Sequence, residues 1–297
     1  MEISKFFVLG AILWISAARA EVVAEALPEL NLGTIGIETG VPKDIWGEKP
    51  EAEAVLNQIK SAAEAPLNDS EKRILKSILM TDMGGVAALE KMGDAYLIAR
   101  VKALTAQGMT EEALTVLDKV PAEGLPEALK RLKAEVLFVA GRVREACGES
   151  HMEAFGNEES FIRAVCADVV GVPPESALAY EVYRESGYDN HPFLNAAGEV
   201  LYRNLDVSLP EGMPAPWEMP MMARVWGVDV LKRPLSKEHL WVLLNQEQVP
   251  HEVRLAAENV LFQAEDKKAD GQILTHLVQM AENRVWVEDT LKDGHEQ

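Results

Sequence analysis

From Pro50 onward apolar residues recur along this chain at helical spacing, and strand-like alternation is nearly absent. Glu51 to Ala63 puts Ala54, Val55, Ile59 and Ala62 on one face, and Ile74, Leu75, Ile78 and Leu79 form the next stripe. Between them, Pro66-Leu-Asn-Asp-Ser70 breaks the pattern and supplies polar side chains suited to capping the helix that follows. Met83-Gly84-Gly85 ends that helix, and a short one carrying Val86 and Leu89 comes next. Further on, Phe161, Ile162, Val165, Val169 and Val170 make one helix, Gly171-Val-Pro-Pro174 turns the chain, and Ala177, Tyr180 and Tyr183 face inward from another. Asp189-Asn190 is placed to cap a helix running through Pro192 and Leu194 to Leu205. Residues 208–220 hold Pro210, Pro214, Pro216 and Pro220, which forbid a continuous helix. Helices are expected again over Met221 to Leu231, Lys237 to Leu244, Val253 to Ala264 and Ile273 to Val287. The chain reads as all-α.

One pattern repeats. Gly108-Met-Thr-Glu-Glu-Ala113 returns as Gly141-Arg-Val-Arg-Glu-Ala146, a spacing of 33 residues. An apolar helical run precedes each copy: Ala95, Ile98, Ala99 and Leu104 in the first, Leu129, Leu132, Val136 and Leu137 in the second. A second amphipathic run follows each, over Ala113, Leu114, Leu117 and Val120 and then from Ala146 to Phe155. Helix, glycine turn and helix at this period is a solenoid signature. The stretch resembles tetratricopeptide repeats, in which a G-x-x-x-E-A signature opens the second helix. The likeness covers residues 93–187, with mostly aliphatic residues at the aromatic positions of the first helices. It implies a right-handed helical-hairpin solenoid over residues 51–207, with Gly108, Ala113, Gly141 and Ala146 at its close-packing positions. It also implies a concave surface that captures partner proteins or peptides, without a cofactor.

The N-terminal region differs. Residues 1–20 have the form of a secretory signal peptide: Lys5, an apolar core from Phe6 to Ala17, and a small-x-small site at Ala18-Arg19-Ala20. The apolar run is shorter than the roughly 20 residues of a spanning helix, so stable membrane insertion is not expected and a periplasmic location is. Residues 21–50 form a Gly- and Pro-containing arm without helical period, carrying Leu30, Leu32, Ile35, Ile37 and Val41. Two readings stand: an arm packed on its own helices, or a segment docking on another protein through Leu30, Leu32, Ile35 and Ile37. The formal charge is −19; loss of Glu2, Lys5 and Arg19 with the signal leaves −20. Nucleic acid and anionic membrane surfaces call for a basic face, so protein partners are expected instead. An apolar content of 48% argues against wholesale disorder.

Candidate chemistry is sparse. Cys147 and Cys166 flank a turn signal at Gly156-Asn157, and an antiparallel helix pair folded there brings them level. In an oxidising compartment they are expected to pair, the alternative being two buried thiols. Glu159-Ser160 resembles the Glu-Ser pair of the soluble lytic transglycosylases, envelope enzymes that also carry helical solenoids. The Gly-Leu-Met-Gln stretch of that family is missing, and Glu-Ser recurs at Glu149, Glu175 and Glu185. Met213, Met219, Met221 and Met222 gather around Trp217, either as soft ligands for copper(I) or as packing filler. The histidines (His151, His191, His239, His251, His276, His295) show no metal-ligand spacing, and His191 reads as a surface or capping residue. No catalytic, cofactor or metal residues are assigned. The expectation is a non-enzymatic envelope scaffold protein, with a glycan-cleaving enzyme or its accessory subunit as the alternative.

Overall fold

The computed structural model describes residues 36, 41, 45, 46, 51–121, 125–170, 173–186 and 191–266. Two compact units are distinguished, Met1–Leu30 and Asn31–Gln297; the first, with the stretch expected to be a signal peptide, lies outside the described residues, all of which belong to the second. All regular structure among the described residues is helical.

The first helix, α1 (Ala52–Glu64), buries Val55, Ile59 and Ala62. The second, α2 (Asp69–Met80), starts where the polar interruption predicts it. Asn68 Oδ1 accepts from the amides of Ser70 and Glu71, and Glu71 reaches back to the Asn68 amide at 2.8 Å. A short α3 (Ala87–Glu90) leads to α4 (Asp94–Ala106) and α5 (Thr110–Leu117). Next come α6 (Glu127–Val139) and the four-residue α7 (Val143–Ala146). The chain then steps through α8 (Glu149–Met152) and a 3₁₀ stretch, Glu153–Glu158, into α9 (Glu159–Val170) and α10 (Pro173–Glu185). In this succession α4 packs on α1 and α5, α6 on α5 and α7, and α9 on α10.

The buried face of α4 is rotated from the one its aliphatics suggest: Leu104 is fully buried, while Ile98 and Ala99 pack on the core only in part. Ala95 is exposed, and Tyr96, Leu97, Arg100, Val101 and Leu104 point inward. Arg100 accounts for the rotation. Its Nε donates to Leu79 O at 2.6 Å and Nη2 to Thr81 O at 3.4 Å, so a buried cation closes the carbonyl end of α2. In the arm, Val41, Ile45 and Trp46 are buried in the same apolar cluster as Tyr96 and Leu97. That is the packed-arm reading for these three; Leu30, Leu32, Ile35 and Ile37 lie outside the described residues.

The two glycine turns share one geometry. Met109 N donates to Leu104 O and Gly108 N to Thr105 O; at the second turn Arg142 N donates to Leu137 O and Gly141 N to Phe138 O. This is the six-to-one and five-to-two pairing of a Schellman end, with the glycines at φ 79° and 78° where a side chain is strained. Ala113 and Ala146 are fully buried beyond them. The second amphipathic run expected from Ala146 to Phe155 is instead broken into α7, α8 and the 3₁₀ stretch, with Gly156 at φ 52° and ψ −118° making the kink. Cys147 and Cys166 are nonetheless joined, their Cα atoms 5.7 Å apart. The partners are the residue after α7 and the middle of α9, not two level positions on opposed helices.

The proline-rich stretch interrupts the helices as expected, and it also packs against them. After α11 (Pro192–Arg203) the chain is irregular over residues 204–215, then enters a 3₁₀ turn, Pro216–Glu218, and α12 (Met219–Trp226) with Pro220 in its first turn. Another 3₁₀ stretch, Gly227–Lys232, replaces the second half of the helix expected to reach Leu231. It is followed by α13 (Lys237–Asn245) and α14 (His251–Asp266). Of the stripe expected on α14, Val253, Ala257 and Leu261 are buried and Val260 is exposed. The helix expected over Ile273 to Val287 lies outside the described residues.

The segment from Lys237 to Gln248 lies across the carbonyl ends of α1, α4, α6 and α9. Lys237 Nζ donates to Ala65 O at 2.6 Å, Trp241 Nε1 to Ala106 O at 3.2 Å and Asn245 Nδ2 to Val139 O at 2.9 Å. Gln246 Nε2 reaches Phe138 O at 2.6 Å and Gln248 Nε2 reaches Val169 O at 2.5 Å. Lys237, Trp241 and Asn245 are spaced one turn apart on a single face of α13. The carbonyls taken by Trp241 and Asn245 belong to Ala106 and Val139, the same position in the two repeats.

This packing generates two expected outcomes. A Cβ at Gly141 would lie 2.4 Å from Asn245 O, and one at Gly108 2.4 Å from the Trp241 ring. Gly141→Ala is therefore expected to lower stability by about 1–3 kcal/mol in a denaturant titration; an unchanged midpoint would contradict the placement of residues 237–248, a strap across these helix ends. The disulfide closes a loop with a sequence separation of 19, so replacing both cysteines by Ala is expected to cost about 3 kcal/mol. Denatured, unreduced protein should titrate no thiol, and two free thiols would contradict the pairing.

Candidate functional site

A partly enclosed cavity of about 290 Å³ opens beside α6. Arg131, Leu132, Glu135, Val136, Phe138 and Val139 recur at intervals that keep them on one side of α6 and form its floor. Lys102 and Thr105 of α4, Phe155 and Glu158 of the 3₁₀ stretch, and Phe161 and Ile162 of α9 make the sides. His191, Ala215, Pro216, Trp217 and Glu238 close it from the C-terminal half.

The proline-rich segment is held in this position by buried polar groups. Trp217 packs on Phe138 with ring centroids 4.1 Å apart, and edge-on to Phe155 at 5.4 Å. His239 Nδ1 accepts from the Ser236 amide at 3.2 Å, which leaves the proton on Nε2 to donate to Pro214 O at 2.8 Å. Arg233 donates to Leu209 O at 3.3 Å and to Pro210 O, and Trp226 Nε1 to Val207 O at 3.2 Å. Prolines cannot donate and their carbonyls are exposed by the irregular backbone, so these side chains replace the helix ladder.

Glu218 is the deepest carboxylate of the segment, 2% exposed. It accepts from Ala215 N at 2.7 Å and from Leu194 N in the first turn of α11 at 3.0 Å. Burial pushes its carboxyl up to about 7, against the opposing pull of those two amides. His191 Nδ1 lies 3.9 Å away, and its ring stacks on Phe161 at 3.6 Å and 4°. It stands at the N-cap position of α11 without a side-chain capping hydrogen bond, half-buried in the cavity wall, and burial lowers its pKa, with Glu158 opposing.

At the cavity rim Arg131 is bound by Glu135 at 3.1 Å and Glu158 at 2.8 Å, with its guanidinium 5.2 Å from the Phe155 centroid. Burial alone would lower its pKa; the hydrogen bonds and charges of the two carboxylates outweigh that and raise it. Burial raises Glu238, with Lys102 opposing and Glu135 adding. The arrangement suits recognition of a small charged or aromatic group.

Of the residues singled out from sequence, His191 and Trp217 line this cavity, together with Leu132, Val136, Phe155, Phe161 and Ile162 of the apolar runs; the repeat, disulfide, Glu-Ser and methionine positions do not. Gly108, Ala113, Gly141 and Ala146 sit in the repeat turns and their packing, and the disulfide ties α7 to α9. Glu159 is on the surface, paired with Arg163 at 2.6 Å, and Ser160 Oγ meets Ser186 Oγ at 3.2 Å. Met219, Met221 and Met222 are buried in the core, whereas Met213 is 53% exposed, which is the packing alternative for those three. Among the described residues there is no grouping of three or more His, Cys, Asp or Glu suited to a metal, and no helix long and apolar enough to cross a membrane. Comparison with protein-family models, curated proteins and solved structures finds no match to this chain.

Glu218 gives this site a pH signature. Its folded pKa of about 7 exceeds the ordinary 4.5, so the stability it contributes is full below about 4.5 and is lost as pH rises through about 7. His191, with a lowered pKa, acts in the opposite sense, losing stability as pH falls through its ordinary 6.5. Glu218→Gln removes only the first effect. Between pH 5 and 8 the wild type should therefore lose stability relative to Glu218→Gln, by up to about 3 kcal/mol; parallel pH profiles would contradict a desolvated carboxylate.

Proposed function

We propose that this chain is an exported, right-handed helical-repeat protein of the tetratricopeptide type that binds partner proteins as part of a cell-envelope assembly. The observation that carries the repeat reading is the pair of Schellman turns at Gly108 and Gly141, with matching hydrogen bonds and equivalent terminal carbonyls taken by one later helix. Packing of α4 on α1 and of α6 on α4 and α5 agrees with hairpins stacked in series, each needing its neighbour to bury its apolar face. The binding surface is the side of α4, α6 and α9 that carries the cavity.

This reading modifies the simple open groove of such solenoids. Part of the face formed by α6 and α9 is covered by the chain's own proline-rich segment through Trp217, so partners reach the cavity and its margins instead of a bare concave surface. The glycan-cleaving alternative finds little support at Glu159. A general acid is kept protonated by burial, and this carboxylate is exposed and ion-paired.

The test is expression of the full chain with its own N-terminus, followed by crosslinking and affinity purification from the envelope. The mature chain should begin at Glu21 and bring down a defined protein partner, and incubation with purified peptidoglycan should release no soluble muropeptides. Release of muropeptides, or a chain retained in the cytoplasm with residue 1 intact, would overturn the proposal.

A further inference from the structure

The charges around the cavity do not cancel. Arg131 is already committed to Glu135 and Glu158, which together hold it over the Phe155 ring. Lys102 is exposed at the rim. That leaves Glu238, half-buried in the first turn of α13, with no hydrogen-bond or ion-pair partner among the described residues. Lys102 acts on it only at longer range. An ionised carboxylate at the wall of a largely apolar cavity is incompletely compensated, and a cation entering the cavity would supply the missing charge.

The walls suit a cation with an apolar stem. Phe155, Phe161 and Trp217 offer aromatic surface, and Leu132, Val136 and Ile162 line the rest. Arg131 over Phe155 shows the wall already holding one cation by ring face and carboxylate together. A volume of about 290 Å³ lies at the lower limit of small-molecule sites, which fits a single long side chain better than a nucleotide or a sugar chain. The chain's −19 charge favours the approach of basic partners.

We propose that this cavity binds an alkylammonium or guanidinium group, delivered as a lysine or arginine side chain of a partner peptide, with Glu238 as its counter-ion and Phe155, Phe161 and Trp217 as its apolar walls. The proposal deepens the protein-binding reading above and rests on it for the source of the cation, but not for the chemistry of the cavity. Cation binding favours ionised Glu238, so affinity rises with pH as that carboxyl ionises and falls with added salt.

The test is calorimetric titration of the full chain with Nα-acetyl-lysine methylamide and with the norleucine analogue, which lacks the charge. The lysine derivative should bind about tenfold tighter than norleucine, and Glu238→Gln, with an unchanged melting temperature, should abolish that preference. Equal affinity for the two compounds, or a preference that survives in Glu238→Gln, overturns the assignment. A second arm titrates short peptides with and without a central lysine. Peptides that bind equally well regardless of lysine overturn the cation site while leaving the protein-binding reading standing. Binding of the lysine derivative with no binding of any lysine peptide keeps the cavity's chemistry and overturns a peptide as its source.

Discussion

Every helix leaves its last carbonyls without an intrahelical partner, and a buried acceptor left unpaired costs about 1–3 kcal/mol. The carbonyl ends of α1, α4, α6 and α9 are all met by side chains from residues 237–248. Exposed helix ends would be hydrated by water; here α13 covers them, so the donors have to come from the protein. The amides of Asn245, Gln246 and Gln248, the Trp241 indole and the Lys237 ammonium do so, and Gln107 adds three bonds from α4 to the end of α1. The same solution appears at α2, whose end is closed by buried Arg100. The two glycines are required because Trp241 and Asn245 approach so closely that no Cβ fits.

The strap has a consequence for the site. Because α13 is fixed on the ends of α4 and α6, its first turn brings Glu238 to the cavity and His239 to Pro214. His239, Glu218 and Trp217 then fix the proline-rich segment against α6 and α9. Asp168 of α9 completes the frame by accepting from Tyr202 of α11 and pairing with Arg224 of α12. The cavity is therefore assembled from both halves of the chain, although its floor belongs to one helix.

Much of the helical layout was legible in the sequence, because apolar periodicity and capping residues such as Asn68 act locally. The two matching turns were legible for the same reason: Gly108 and Gly141 specify a backbone conformation. What could not be read were side chains whose partners are distant in sequence. Arg100 and Tyr96 were not among the apolar positions the spacing marks on α4, and Arg100 is buried where the end of α2 needs a donor. Residues 208–220 read as a break because prolines forbid a helix; that they also fill a groove depends on Phe138 and Phe155, which periodicity marks only as core. Glu238 and His191 carried no spacing signal, since the site is formed by tertiary packing. Trp217 among methionines was the one visible hint.

The central claim is that one segment holds the ends of several helices, and hydrogen–deuterium exchange read by mass spectrometry on wild type and on Trp241→Ala/Asn245→Ala tests it most directly. If the claim holds, the variant exchanges faster at the C-terminal turns of both α4 and α6, around residues 103–109 and 136–142. The end of α2, closed independently by Arg100, should keep its wild-type protection. Unchanged exchange at those two turns, or an equal rise throughout the chain including α2, would contradict it.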